Sequence, residues 1–142
     1  MLIFLKIIHL IMSIPLIIFG GWFFLISSLN LLKVIFYRSI SFLPMVLLDL
    51  TGFILIFVLI LYLKNLFVPG SPLRIFLKPV LPLLLVILMI EIEFLAYRTW
   101  GKLFYTVGYN GFIHIVFLSY IGIFTVVTVL VNIFDNPKSN FP

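Results

Sequence analysis

Four apolar runs, each long enough to cross a lipid bilayer, dominate this chain of 142 residues. A bilayer core about 30 Å thick is crossed by about 20 helical residues. The runs lack the period-two alternation of a membrane barrel strand. We therefore expect an all-α integral membrane protein, a small bundle of four transmembrane helices packed in a larger complex. The predicted spans cover residues 7–32, 42–63, 79–97 and 112–134, in a single domain with a polar tail at residues 135–142.

The composition excludes several classes of protein. Hydrophobic residues make up 65% of the chain and charged residues 9%, whereas soluble domains carry about 25% charged residues. There is no cysteine, which rules out disulfides, thiolate metal sites and iron–sulfur ligation. The net charge of +5 is interpreted as lysines and arginines that flank the spans and snorkel to lipid headgroups. Because no basic patch is interleaved with polar residues, nucleic acid is not an expected partner.

Two glutamates, Glu91 and Glu93, lie inside the third apolar run. A carboxylate in hydrocarbon costs roughly 2.5–3.5 kcal/mol on insertion scales, and an intramembrane acid therefore suggests a function. On a helix the two side chains are about 200° apart, so each would meet a different neighbour. The sequence predicts a proton relay through these acids, with Asp49 in the second run as a further station. The structural alternative is interhelical bonding, with Thr51 as a possible partner of Asp49.

Two histidines offer a separate alternative. His9 lies in the first run and His114 in the fourth. On facing helices, two histidines could ligate a b-type haem, which would make the chain a small haem-binding or transport bundle. An intramembrane histidine can equally serve as a hydrogen-bonded packing residue.

The second half of the chain carries a series of motifs at fixed spacing, and no nucleotide-binding, nucleophile or metal-ligand motif accompanies them. The series comprises Gly70-Ser71, the acids Glu91 and Glu93, Trp100, Gly108 and Gly111-Phe112. Over about residues 67–134 it resembles subunit 3 of the proton-pumping NADH:ubiquinone oxidoreductase (complex I), called the A-subunit in bacteria.

The chain also departs from the pattern of that family. Glu91 stands where the family has an aspartate, and Leu73 stands at the family's arginine, with Arg74 one position later. The family's loop signature is reduced to Phe67-Val68-Pro69 and lacks its cysteine. The family has three spans and this chain four, so either the first or the second run is additional.

The resemblance implies a membrane-arm subunit beside the quinone site. Pro69, Gly70 and Ser71 would belong to the loop at that site, and Gly108, Gly111 and Phe112 would open the last helix. Glu91 and Glu93 would couple quinone reduction to proton pumping. No cofactor would be bound by this chain, whereas the whole complex would use FMN, iron–sulfur clusters and quinone.

The expected partners are lipid and the other membrane subunits of complex I. The expected location is the mitochondrial inner membrane, with a bacterial plasma membrane as the alternative. The rival interpretation is a non-catalytic accessory or assembly subunit of a respiratory membrane complex, whose acids only pair with neighbours.

Overall fold

Four long helices make up the protein. The computed structural model describes residues 1–37, 42–100 and 109–135, and it describes side chains at 1–22, 25, 28–29, 46–94 and 115–135. The helices are α1 (Leu2–Tyr37), α2 (Phe42–Lys64), α3 (Pro72–Trp100) and α4 (Tyr109–Phe134). Each contains a stretch long and apolar enough to cross a membrane. The prediction of an all-α, multi-pass membrane protein is confirmed.

The helices run alternately up and down around a shared core. Each one packs on two others, in the closed order α1, α2, α3, α4 and back to α1. Leucines fill most of the interior, and Leu59, Leu81 and Leu85 are completely buried there. The chain thus forms a single bundle, with the start of α1, the end of α2, the start of α3 and the end of α4 at the same end.

Helix α3 begins earlier than the sequence predicts, at Pro72 instead of residue 79. The segment around Pro69, Gly70 and Pro72 suggested a longer loop. Proline is well accommodated at the first helical position, however, because its missing N–H has no partner there anyway. Ser71 caps the helix: its hydroxyl accepts a hydrogen bond from the Arg74 backbone N–H at 3.4 Å. Gly70 makes the turn before it with a φ of 68°, which is in the left-handed region that favours glycine.

Prolines also lie inside helices, and a neighbouring helix satisfies one of the carbonyl groups they release. Pro82 has no N–H for the carbonyl of Lys78, four residues earlier. That carbonyl instead accepts a hydrogen bond of 2.8 Å from the Asn132 side chain on α4. Tyr62 on α2 in turn donates to the Asn132 amide oxygen at 2.7 Å. One asparagine therefore joins three helices where α3 would otherwise have an unpaired carbonyl in a membrane.

The outer surface of the bundle is apolar on every helix. Phe53 on α2, Phe76 on α3 and Val126 on α4 are each more than half exposed. Gly21 on α1 also faces open space. A surface of this kind fits lipid or partner helices.

Candidate functional site

Glu91 is fixed to the neighbouring helix through one of its two carboxylate oxygens. The Thr51 hydroxyl on α2 donates a hydrogen bond of 2.9 Å to Glu91 Oε1. The other oxygen, Oε2, is buried and has no hydrogen-bond partner among the described residues. An unpaired buried carboxylate oxygen is costly. Oε2 is therefore the atom of this site that can bind a proton or a further hydrogen-bond donor.

Asp49 and Glu93 lie at the same level of the bundle as Glu91, and we call these three residues the acid layer. Both carboxylate oxygens of Asp49 are buried, and within the described side chains neither has a hydrogen-bond partner. Thr51 is bonded to Glu91 and not to Asp49, because two helical residues two positions apart point about 200° away from each other. For the same reason, Glu93 points away from Glu91. The acids therefore share a depth but form no bonded dyad among the described atoms.

The other residues singled out by sequence lie at both ends of the bundle. Pro69 and Gly70 are exposed in the connection between α2 and α3, whereas Ser71 is buried and donates to Asn65 Oδ1 at 3.1 Å. Gly111 and Phe112 lie in the first turn of α4, although their side chains are outside the described set, and Gly108 lies outside the described residues.

A cluster of charged residues that the sequence interpretation missed lies at the end of the bundle opposite the acid layer. Lys6 on α1 and Arg74 and Lys78 on α3 surround Asp135, directly after α4, and we call the three cations the basic cluster. Lys6 Nζ lies 3.0 Å from Asp135 Oδ1, and the Arg74 guanidinium pairs with Oδ2. Lys78 Nζ donates to the Asp135 backbone carbonyl at 2.8 Å and lies 3.8 Å from Oδ2. Three cations therefore hold Asp135, the first residue of the predicted polar tail, against the bundle.

Arg74 also binds the backbone directly after the end of α2. Its Nη1 donates to the backbone carbonyls of Leu66 at 2.7 Å, Asn65 at 3.3 Å and Val68 at 3.3 Å. These carbonyls belong to the turn that follows α2, and a cation is favourable beside the negative C-terminal end of a helix dipole. Arg74 is 4% exposed. It is therefore a buried side chain that links parts of the bundle, and it does not snorkel to headgroups.

Between the acid layer and the basic cluster, the buried side chain of His9 lies beside two hydroxyl groups. His9 Nε2 lies 3.0 Å from Thr128 Oγ1, and Thr128 donates its only hydroxyl proton to the Phe124 carbonyl at 2.8 Å. His9 must then be the donor in its contact with Thr128, which places a proton on Nε2. Ser13 Oγ lies 3.5 Å from Nδ1, and the Tyr62 and Phe124 rings pack within 5.2 Å and 4.7 Å of the imidazole.

This arrangement disfavours a haem held by His9 and His114. Thr128, which contacts His9, follows His114 by 14 residues on α4, and this spacing corresponds to about 21 Å along the helix axis. Two axial ligands of one iron cannot be so far apart. The described part of the chain also contains no group of three or more potential metal ligands.

The remaining candidate is a groove of about 460 Å³ between α1 and α4, lined by Pro15, Leu16, Phe19, Val116, Phe117 and Tyr120. Its walls are almost wholly apolar, and the Tyr120 hydroxyl is already bonded to the Met12 carbonyl. The six described residues that line the groove therefore offer no free polar group to orient a reacting substrate.

Comparison of the chain with protein-family models, with curated proteins and with solved structures gives no match.

Proposed function

We propose that the chain is a membrane subunit of a proton-translocating complex and that Glu91 takes up and releases protons within it. The observation that carries the proposal is the asymmetric environment of the Glu91 carboxylate. One oxygen is held by Thr51, and the other is buried without a described partner. Such a carboxylate is fixed in position yet keeps one oxygen available for a proton.

The bond from Thr51 is compatible with either protonation state. Thr51 donates to Oε1, and Oε1 can accept that bond whether Oε2 carries a proton or a negative charge. A proton can then arrive and leave without breaking the link between α2 and α3. A group that binds protons repeatedly inside a membrane needs this tolerance, because each rearrangement of helices would add to the barrier.

The rest of the acid layer supplies neighbouring stations. Asp49 lies on α2 at the depth of Glu91 with both oxygens buried, and Glu93 points to another side of α3. Protons could approach Glu91 through partner subunits on more than one side. The exposed apolar residues on all four helices supply surface for such partners.

For the larger complex we propose the membrane arm of complex I, with this chain in the position of subunit 3. The spacing of Gly70-Ser71, Glu91 and Glu93, and Gly111-Phe112 supports this part of the proposal. The connection at Pro69–Ser71 would then lie near the quinone, and other subunits would carry FMN and the iron–sulfur clusters. The membrane would be the mitochondrial inner membrane or a bacterial plasma membrane.

The first test is which proteins co-purify with the chain in mild detergent. The proposal expects core membrane subunits of complex I. Recovery of an intact assembly without any complex I subunit would reject this identity and leave the role of Glu91 to be tested in whichever complex is recovered.

The second test separates a relay from a scaffold. Glu91→Gln keeps an oxygen that can accept the Thr51 bond but cannot exchange a proton, whereas Thr51→Val removes the bond and keeps the acid. A relay predicts that Glu91→Gln, alone or with Glu93→Gln, abolishes NADH-driven proton pumping or quinone reduction in an assembled complex, while Thr51→Val keeps most of it. Full turnover and pumping in the double glutamine variant would reject the relay.

The rival function is that of an accessory or assembly subunit, in which Glu91 only ties α3 to α2. The Thr51 hydrogen bond itself favours this alternative. A scaffold predicts the reverse pattern: Thr51→Val lowers the amount of assembled complex, and Glu91→Gln, which retains the bond, leaves both assembly and activity intact.

A further inference from the structure

The basic cluster contains more positive charge than the described residues around it neutralise. Lys6, Arg74 and Lys78 contribute three positive charges, and Asp135 contributes one negative charge, which leaves a net charge of two. The whole chain has four acidic side chains. The other three form the acid layer, and the 17 residues of α3 from Arg74 to Glu91 put it about 25 Å away along the helix.

The excess charge is not simply hydrated. The exposed fractions of the Lys6, Arg74 and Lys78 side chains are 11%, 5% and 18%. All three residues also lie within candidate membrane spans. Buried cations without a counter-charge are strongly unfavourable, and among the described residues Asp135 is the only carboxylate beside them.

The two lysines, and not the arginine, have the capacity to bind a further anion. Arg74 is paired with Asp135 and donates to the Leu66 carbonyl in the turn after α2. The Lys6 ammonium has three N–H donors and contacts Asp135 Oδ1 alone among the described acceptors. Lys78 donates to the Asp135 carbonyl and is the most exposed of the three. Both ammonium groups therefore retain donors that can reach an anion at the open end of the bundle.

We propose that Lys6 and Lys78 form a binding site for a phosphate group, supplied by the headgroup of an anionic phospholipid. Phosphate presents several acceptor oxygens, which suits two ammonium groups that converge from different helices. The site lies where several spans begin or end, at the depth of lipid headgroups, and basic pockets between helices are known lipid sites in membranes. Phe4 on α1, Phe67 in the connection and Phe76 on α3 are more than half exposed at this end and provide apolar surface for acyl chains.

The test compares the whole chain in detergent with a variant that carries Lys6→Gln and Lys78→Gln. Arg74 and Asp135 remain paired in this variant, so its cluster is neutral and needs no external anion. The matched control is Lys64→Gln, because Lys64 is an exposed cation at the same end of the bundle. Each protein is delipidated, and then phosphatidylglycerol, phosphatidylcholine or inorganic phosphate is added. Bound lipid is counted by native mass spectrometry, and the melting temperature is recorded.

The unaltered chain and Lys64→Gln are expected to retain phosphatidylglycerol in preference to phosphatidylcholine and to lose melting temperature on delipidation. The double variant is expected to bind phosphatidylglycerol roughly thirtyfold more weakly, the fold-change that corresponds to about 1 kcal/mol for each lysine. Its melting temperature should not fall on delipidation.

Equal retention of the two lipids, or unchanged binding by the double variant, would overturn the site. Stabilisation of the unaltered chain by inorganic phosphate, without selective retention of phosphatidylglycerol, would overturn the lipid as the source of the phosphate group.

Discussion

Asn132 on α4 donates its side-chain amide to the backbone carbonyl of Lys78 on α3 at 2.8 Å. This is the carbonyl that Pro82 leaves without its usual helical partner. A sequence feature that weakens one helix is thus matched by a polar side chain on another. The pairing joins the two helices at one defined position, the carbonyl that Pro82 releases.

Replacement of Asn132 with leucine should destabilise the bundle by roughly 1–2 kcal/mol, since it removes the bond to Lys78 and the acceptor of Tyr62. Reversible unfolding in mixed micelles would measure this loss. Tyr62→Phe removes only the second bond and should cost less. In the Pro82→Ala background, where Lys78 regains a helical N–H partner, the loss on Asn132→Leu should shrink. An equal loss in both backgrounds would show that the released carbonyl is not what Asn132 serves.

Asp135→Asn should be among the most damaging single substitutions. It leaves three cations with no carboxylate, and loss of one partner from a buried ion pair costs about 3 kcal/mol or more. Asp135→Glu keeps the charge and should lose much less. The measurement is the yield of folded protein in detergent together with its melting temperature. Similar values for the asparagine and glutamate variants would contradict the role of charge in this cluster.

Gly70→Ala should destabilise the protein by about 1 kcal/mol, because alanine is strained at the φ of 68° that the turn requires. Gly21→Ala is the matched control. Gly21 is helical and faces open space, so alanine there should be neutral or stabilising by up to roughly 1 kcal/mol. Unfolding free energies of the two variants test the contrast, and a loss at Gly21 equal to that at Gly70 would refute it.

His9→Leu should not alter the visible spectrum of protein produced with an adequate supply of haem, because we expect no Soret band in either form. His9 Nε2 carries a proton and faces Thr128, and Nδ1, which keeps its lone pair, faces Ser13 at 3.5 Å inside the bundle. A Soret band that depends on His9 would overturn this assignment. Thr128→Val should instead lower stability by about 1 kcal/mol, since it removes the acceptor of a buried N–H.

The helices were predictable because bilayer thickness and hydropathy constrain them strongly. Their ends were harder to predict. Residues 72–78 were predicted to lie outside the third span, because prolines flank them and Arg74 and Lys78 interrupt the apolar run. In the structure Pro72 opens the helix and Pro79 and Pro82 lie within it. A helix in a bundle tolerates such prolines where a neighbouring side chain satisfies the carbonyl they release, which sequence proximity does not reveal.

The acid layer and the basic cluster also differed in how far the sequence could predict them. Glu91 could be identified from sequence because an acid inside an apolar run is conspicuous. Its partner, Thr51, depends on which face of α2 meets α3. The basic cluster was missed because Lys6, the pair Arg74 and Lys78, and their partner Asp135 lie near the ends of three different stretches, where charges usually face headgroups. The number of spans was the available signal. In an up-and-down bundle of four helices, these four positions come to the same end.

Asp135 follows the last helix, so the ribosome adds it after Lys6, Arg74 and Lys78 have already been made. Until α4 is inserted, the nascent bundle carries three cations whose counter-charge has not yet been synthesised. The unfinished protein therefore carries a larger excess of positive charge at one membrane surface than the finished protein. Insertion of α4 brings Asp135 to that surface and lowers the excess from three positive charges to two.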